Sequence, residues 1–195
     1  MSISIGAQPP ELRTERLLLR RWRPADLDYF AAMNADPDVL RFFVRPLTQE
    51  ESHASARRLI GYCDDGLGPW SLEVPGEAPF IGFAGAWPTR SELPFAPAVE
   101  IGWRLDKAYW GRGYATEASR AALKDAFERA GIDEIVAYAA AANEPSIGVM
   151  RSIGMMRDME ADFDHPHFPA DDPNRRFVLF RLSREAFANS RQAAA

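Results

Sequence analysis

The stretch from Glu100 to Ala118, EIGWRLDKAYWGRGYATEA, concentrates the residues with chemical promise. Gly111 and Gly113 flank Arg112 just before a run with alanines at helical spacing. The start of a helix leaves backbone N–H groups without partners and carries a partial positive charge. Glycines there permit positive φ and remove the side chains that would bar an anion. Gly111, Arg112, Gly113, Tyr114, Ala115 and Thr116 therefore describe an anion cradle. Each of its charge-assisted bonds would be worth about 1.5–3 kcal/mol. The local pattern also fits a glycine turn that binds nothing. Neither the P-loop ending in Gly-Lys-Ser/Thr nor the third glycine of a dinucleotide loop is present. The G-x-S-x-G of a nucleophile elbow is missing too.

The elements that must hold this turn read as alternating strands and helices. RLLLRRW (Arg16 to Trp22) is a strand, and Pro24 and Asp26 open a helix. A second helix starts at Thr48, with Glu51 at capping-box spacing, and ends near Cys63. PWSLEV and PFIGFAGAW form a hairpin through PGEA. In AVEIGWRLD, Val99, Ile101, Trp103 and Leu105 alternate with Glu100, Gly102 and Arg104, the period of a strand. Ala115, Ala118, Ala122 and Ala126 share one face of the next helix, which lets its axis lie close to a sheet. DEIVAYAAA is a strand, EPSIGVMRSIG a helix stopped by Gly154, and RRFVLFRL a last strand. Crossovers mixed with hairpins give an α/β or α+β domain around one mixed sheet.

With 195 residues the chain suits a single domain, expected over 11–187 between disordered tails at 1–10 and 188–195. A net charge of −5 argues against a nucleic-acid backbone as partner. The lone cysteine, Cys63, offers no disulfide framework and suits a reducing cytoplasm. The start MSISIGAQPPEL lacks the features of a signal peptide, and no apolar run is long enough to span a membrane. A cytoplasmic monomer or homodimer is expected.

VEIGWRLDKAYWGRGYATEA, followed after one helix and one strand by NEPSIGVMRSIGM, resembles the GNAT superfamily of acetyl-CoA-dependent N-acetyltransferases. TERLLLRRWRPADLDYFAAMNADPDV and the late DFDHP are similar to the branch of ribosomal-protein alanine acetyltransferases. The likeness extends from Thr14 to Leu182. It implies the GNAT fold, a twisted, mostly antiparallel sheet of about seven strands flanked by helices. It also implies that Trp103, Arg104 and Leu105 give backbone groups to the pantetheine arm of acetyl-CoA, and that Gly111 to Thr116 hold its pyrophosphate. The chain departs from the family at Trp110, where Gln or Arg is usual. It departs again at Ser152, where Lys or Arg is usual, with Arg151 one step early.

Acetylating an amine is a matter of protons, because amines of pKa ~8–10 arrive charged and must lose a proton before they attack. Glu100 is the best-placed base, with Glu73 and Asp106 as weaker options; its plain alternative is an ion-pair partner at a strand start. Alternation sets Glu100 on the strand face opposite Trp103, so a bulge or an opening of the sheet is needed to aim it inward. By the resemblance, Ser146 returns a proton to the departing thiolate and Asn143 bonds the pantetheine amides or a water. Either could instead simply cap the helix. His165 and His167 at i, i+2 form no recognisable metal site, so no metal is expected. The acids of DFDHPHFPADDP suggest a cationic acceptor or merely a solvated loop. Trp70, Phe80, Phe83, Trp87 and Trp103 read as core, and His53 as helix surface. Two rivals to the enzyme remain: a non-catalytic acyl-CoA-binding module, and a nucleotide hydrolase that would lack the usual Lys-Ser/Thr.

Overall fold

A computed structural model describes residues 9–64 and 66–192. The expectations for residues 1–8 and 193–195 lie outside them. Strands β1 (Leu12–Arg13) and β2 (Leu18–Arg20) lead into helices α1 (Asp26–Ala35) and α2 (Gln49–Asp64). The hairpin β3 (Pro69–Val74) and β4 (Ala78–Pro88) precedes β5 (Val99–Leu105), a 3-10 turn at Lys107–Tyr109 and helix α3 (Tyr114–Glu128). Then come β6 (Glu134–Ala140), α4 (Glu144–Ser152), β7 (Met156–Asp164), β8 (Arg176–Ser183) and α5 (Arg184–Gln192).

The strands form one eight-stranded sheet in the order β1-β2-β3-β4-β5-β6-β8-β7. Among the described residues, only the β5–β6 pair is parallel. The mixed, mostly antiparallel sheet is as expected, with β7 and the short β1 added. Pro9 is buried, and the Pro10 carbonyl accepts the Trp70 indole N–H at 2.9 Å, so packing begins before Glu11. The tail expected from residue 188 is instead helix α5 as far as Gln192.

The two sheet faces bury different cores. Val99, Ile101 and Leu105 pack with Ala118, Ala122 and Leu123 of α3, whose alanine face lets the helix lie close. On the other face Phe30 and Met33 of α1 and Leu59 of α2 cover Phe80 and Phe83 of β4. Asp26 does more than favour the helix dipole. It accepts from Arg20 Nη1 at 2.8 Å, and Arg20 in turn donates to Glu73 at 2.7 Å, which ties α1 to β2 and β3.

The capping box of α2 is formed. Thr48 Oγ1 accepts from Glu51 N at 3.2 Å, and Glu51 Oε2 accepts from Thr48 N at 2.9 Å. Arg45 pairs with the same carboxylate, and its hydrogen bond holds the Glu51 pKa down at about 2. Thr48→Ala should lower stability by about 1 kcal/mol, read as a shift in denaturant midpoint at unchanged slope.

Candidate active site

The β5–β6 ladder is short. Its pairs are Val99 with Ile135 and Glu100 with Val136, after which β5 continues to Leu105 along β4 alone. The sheet therefore splits at Glu100. Free backbone groups of β5 face the gap. A cavity of about 670 Å³ passes through it, lined by Trp103, Arg104 and Leu105, by Gly111, Gly113 and the start of α3, and by Asn143 and Ser146 of α4. On the other sheet face it meets Ser55, Arg58, Leu59 and Tyr62 of α2, the i, i+3, i+4, i+7 stripe of one helix face.

At the cradle, Gly111 and Gly113 take φ of +71° and +79°. Gly113 is the N-cap of α3 and makes no side-chain capping bond. Glu117 N–H is the first amide of α3 to find a helical acceptor, the Gly113 carbonyl at 3.0 Å. The amides before it have no helical acceptor and point outward. A Cβ on Gly113 would meet only Arg16 Nη2, at 3.4 Å. Bare amides, helix dipole and open approach fit a pyrophosphate. The Arg112 side chain turns to Glu77, at 3.1 Å, and does not line the cavity, so the part of this residue set in the cradle is its backbone.

A clamp that sequence reasoning missed steadies this turn. Glu117 accepts from Thr14 Oγ1 at 2.6 Å and pairs with Arg16 at 2.6 Å, while Arg16 Nη1 donates to the Arg112 carbonyl at 2.9 Å. Trp110 braces the loop too, its indole N–H donating to the Leu105 carbonyl at 2.9 Å. Ser152 Oγ bonds back to the Gly148 carbonyl at 2.8 Å, and Arg120 reaches the Ser152 carbonyl at 2.7 Å.

Glu100 is buried, with the Trp87 indole N–H donating to its Oε1. Its Oε2 makes no hydrogen bond of good geometry, although the Tyr138 hydroxyl stands beside the carboxylate. Burial pushes its pKa up to about 7, against the opposing pull of Tyr138, Trp87, Arg90 and Arg58. The same burial and the neighbouring carboxylate raise the Tyr138 phenol. The split in the sheet supplies the opening that alternation alone withholds from Glu100. Gly102 matters here, because a Cβ on it would come within 2.7 Å of the Trp87 ring. The weaker bases are committed elsewhere: Glu73 to Arg20 and Arg23, and Asp106 Oδ1 to Ala108 N at 2.8 Å.

Asn143 caps α4, its Oδ1 accepting from Ser146 N at 3.2 Å, which leaves its amide nitrogen and the Ser146 hydroxyl for the cavity. Trp70 and Phe80 are buried core; Phe83 is buried as well but lines the cavity, together with the half-buried Trp87 and Trp103. His53 is half-buried rather than on the surface. Cys63 is half-buried, with a thiol pKa pushed by burial up to about 11, so it is a poor nucleophile. The acidic loop contributes His165, His167 and Phe168 to the cavity, while Asp162 and Asp164 turn to Arg157 and to Arg175 and Arg176. Burial, with His167 and Arg90 nearby, pushes His165 down to about 4, which keeps it neutral.

Known proteins share both sequence and fold. The model of the acetyltransferase (GNAT) domain family matches residues 16–156. The FsC-acetyl coenzyme A-N(2)-transacetylase of Aspergillus fumigatus is 29% identical over 191 residues, covering 94% of this chain and 80% of the relative. A GNAT-family acetyltransferase structure from Bacillus anthracis superposes with a TM-score of 0.73 at 25% identity, covering 90% of this chain and 99% of that one. The ribosomal-protein-S5-alanine acetyltransferase of Vibrio fischeri gives 0.69 at 16% identity over 90% of this chain and 97% of its own, a likeness of fold.

Proposed function

The chain belongs to the GNAT family of acetyl-CoA-dependent acetyltransferases, and from that premise we propose that it moves acetyl directly onto a primary amine, with Glu100 as base. The observation that carries this reading is a buried carboxylate of pKa about 7 at the point where the sheet opens beside a bare helix start. When bound, acetyl-CoA supplies the activated acyl group. The cradle amides from Gly111 to Thr116 hold its phosphates, and the unpaired edge of β5 at Trp103 to Leu105 holds its pantetheine arm. Asn143 contributes its amide nitrogen to that arm.

Glu100 takes a proton from the acceptor ammonium, through water or directly. A base of pKa about 7 is well matched to this task near neutral pH. The amine then adds to the acyl carbon to give a tetrahedral oxyanion, whose collapse breaks the bond to sulfur as the nitrogen sheds its second proton. N–H groups on the open edge of β5 steady the oxyanion. Ser146 passes its hydroxyl proton to the thiolate and recovers, through water, the one that the nitrogen sheds. The domain acting in this way spans residues 11–187, extended by the packed Pro9 and Pro10 and by α5.

The test is release of CoA thiol from acetyl-CoA with a panel of primary amines and N-terminal peptides. No release above background with any of them would favour the acyl-CoA-binding module. In the same assay Ser146→Ala should lower kcat about tenfold with the KM for acetyl-CoA unchanged, since a thiolate of pKa ~8.5 already leaves tolerably. A rise in KM alone would make Ser146 a binding residue.

A further inference from the structure

Resting on the amine-acetylation reading, we propose that the acceptor is a small amine carrying a carboxylate, received by the guanidinium groups of Arg58 and Arg104 on the α2 side of the sheet.

Arg104 extends from β5 away from the cradle face. Its Nη1 donates to Asn34 Oδ1 at 2.6 Å, and its guanidinium lies 4.4 Å from the centre of the Phe43 ring and 5.8 Å from that of Phe83. Arg58 donates to Ser55 Oγ at 3.3 Å. Among the described residues neither arginine forms an ion pair. Arg20, the other deeply placed arginine, shows what this fold does elsewhere: it is 1% exposed and lies between Asp26 and Glu73. Arg90 joins the group at the rim, with Glu92 only 3.8 Å away.

Four arginines and two carboxylates line the cavity. One carboxylate, Asp38, is engaged by Lys107 at 3.2 Å. The other is Glu100, whose pKa stays raised despite Arg58 and Arg90, so it leaves much of their charge unmatched near neutral pH. Crowding by burial and by Arg58 likewise pushes Arg104 down to about 10. Arg104, set against the Phe43 and Phe83 rings without a carboxylate partner, is unfavourable until a counter-charge arrives, and the more exposed Arg58 adds its charge beside it. A carboxylate satisfies a guanidinium with two parallel bonds, and no neutral group does that as well. The arginines also disfavour the protonated form of an amine held beside them, which eases its deprotonation by Glu100. Two of the acids of the late loop, Asp162 and Asp164, pair with Arg157 and with Arg175 and Arg176, which favours the solvated-loop reading over a site for a cationic acceptor.

The experiment measures acetyl-CoA thiol release with matched acceptors: α-amino acids against their carboxamides, and 4-aminobutyrate against 1,4-diaminobutane. The carboxylate member of each pair should have the lower KM, by tenfold or more. Arg58→Gln should raise KM for the carboxylates about tenfold, leave the carboxamides within about twofold and leave the KM for acetyl-CoA unchanged, and Arg104→Gln should raise the KM for the carboxylates by a similar factor. Arg104→Lys should recover part of the loss. Equal use of both members, or losses equal for both, overturns the proposal. Turnover confined to diamines does so too, while leaving amine acetylation intact. Absence of turnover with every amine sinks the acetylation reading instead. Tryptophan fluorescence of the CoA-saturated protein, titrated with N-acetylated amino acids and their amides, then decides the present point. Carboxylate-selective quenching lost in Arg58→Gln supports it, and no selectivity overturns it.

Discussion

Gly113→Val should raise the KM for acetyl-CoA about a hundredfold or more while the acceptor KM stays put. Gly113 holds φ at +79° as the residue that opens α3, a conformation that is uncommon for side-chain-bearing residues and worst for β-branched ones. The open space in front of it is bounded only by the end of Arg16, so valine would point its methyls where an anion must approach. Forfeiting two amide–phosphate bonds at about 1.5 kcal/mol each gives about 3 kcal/mol, or two decades of affinity. The backbone strain itself should lower stability by about 1–2 kcal/mol. Gly113→Ala separates the effects, keeping most of the strain with less obstruction, and should fall between wild type and valine in KM. Calorimetry with CoA reads the binding arm directly. Unchanged affinity in Gly113→Val would move the phosphates away from this turn.

Local physics explains which parts of this site could be read from the chain. The capping box at Thr48 and Glu51, the alanine face of α3 and the glycines at its mouth each depend on residues a few positions apart, and all three form as expected. What distant elements bring together could not be read. The partner of Glu100 is Trp87, set by the β4–β5 register across the loop of residues 89–98, and no local pattern encodes that register. The Ser55–Arg58–Leu59–Tyr62 stripe had a helical spacing, but on a mostly polar helix its arginine reads as solvated surface. Strand β7 escaped for a related reason. It is a sheet edge, its residues from Met156 to Glu160 are largely exposed, and the alternation that marks a half-buried strand is absent. Position in the loop says nothing of where the long Arg112 side chain goes, and it pairs with Glu77 outside the cavity.

Glu100→Gln should lose activity and gain stability, a combination that damage to the fold would not produce. The glutamine oxygen can still accept from Trp87, so the packing is kept while the base is lost. Removing a positioned general base lowers turnover by about 10²–10³-fold at neutral pH. The wild-type kcat/KM should rise with pH through about 7 as Glu100 ionises. In the variant that limb should vanish, and the rate should follow the acceptor amine's own pKa of ~8–10, so the deficit narrows at high pH. An unchanged profile removes Glu100 from proton transfer. The stability arm has the opposite sign. This carboxyl has its pKa raised from 4.5 to about 7 on folding, so the folded state binds its proton more tightly than the unfolded chain does. Its contribution is complete below pH 4.5 and is lost as pH climbs through about 7. At 1.36 kcal/mol per pH unit the interval corresponds to about 3 kcal/mol. Denaturation at pH 8 should therefore find Glu100→Gln more stable than wild type by up to about 3 kcal/mol, with the gap closing by pH 4. A carboxylate buried in the split, with Oε2 lacking a hydrogen bond of good geometry, keeps its proton affinity at the expense of the fold around it, and glutamine relieves that conflict by being unable to ionise.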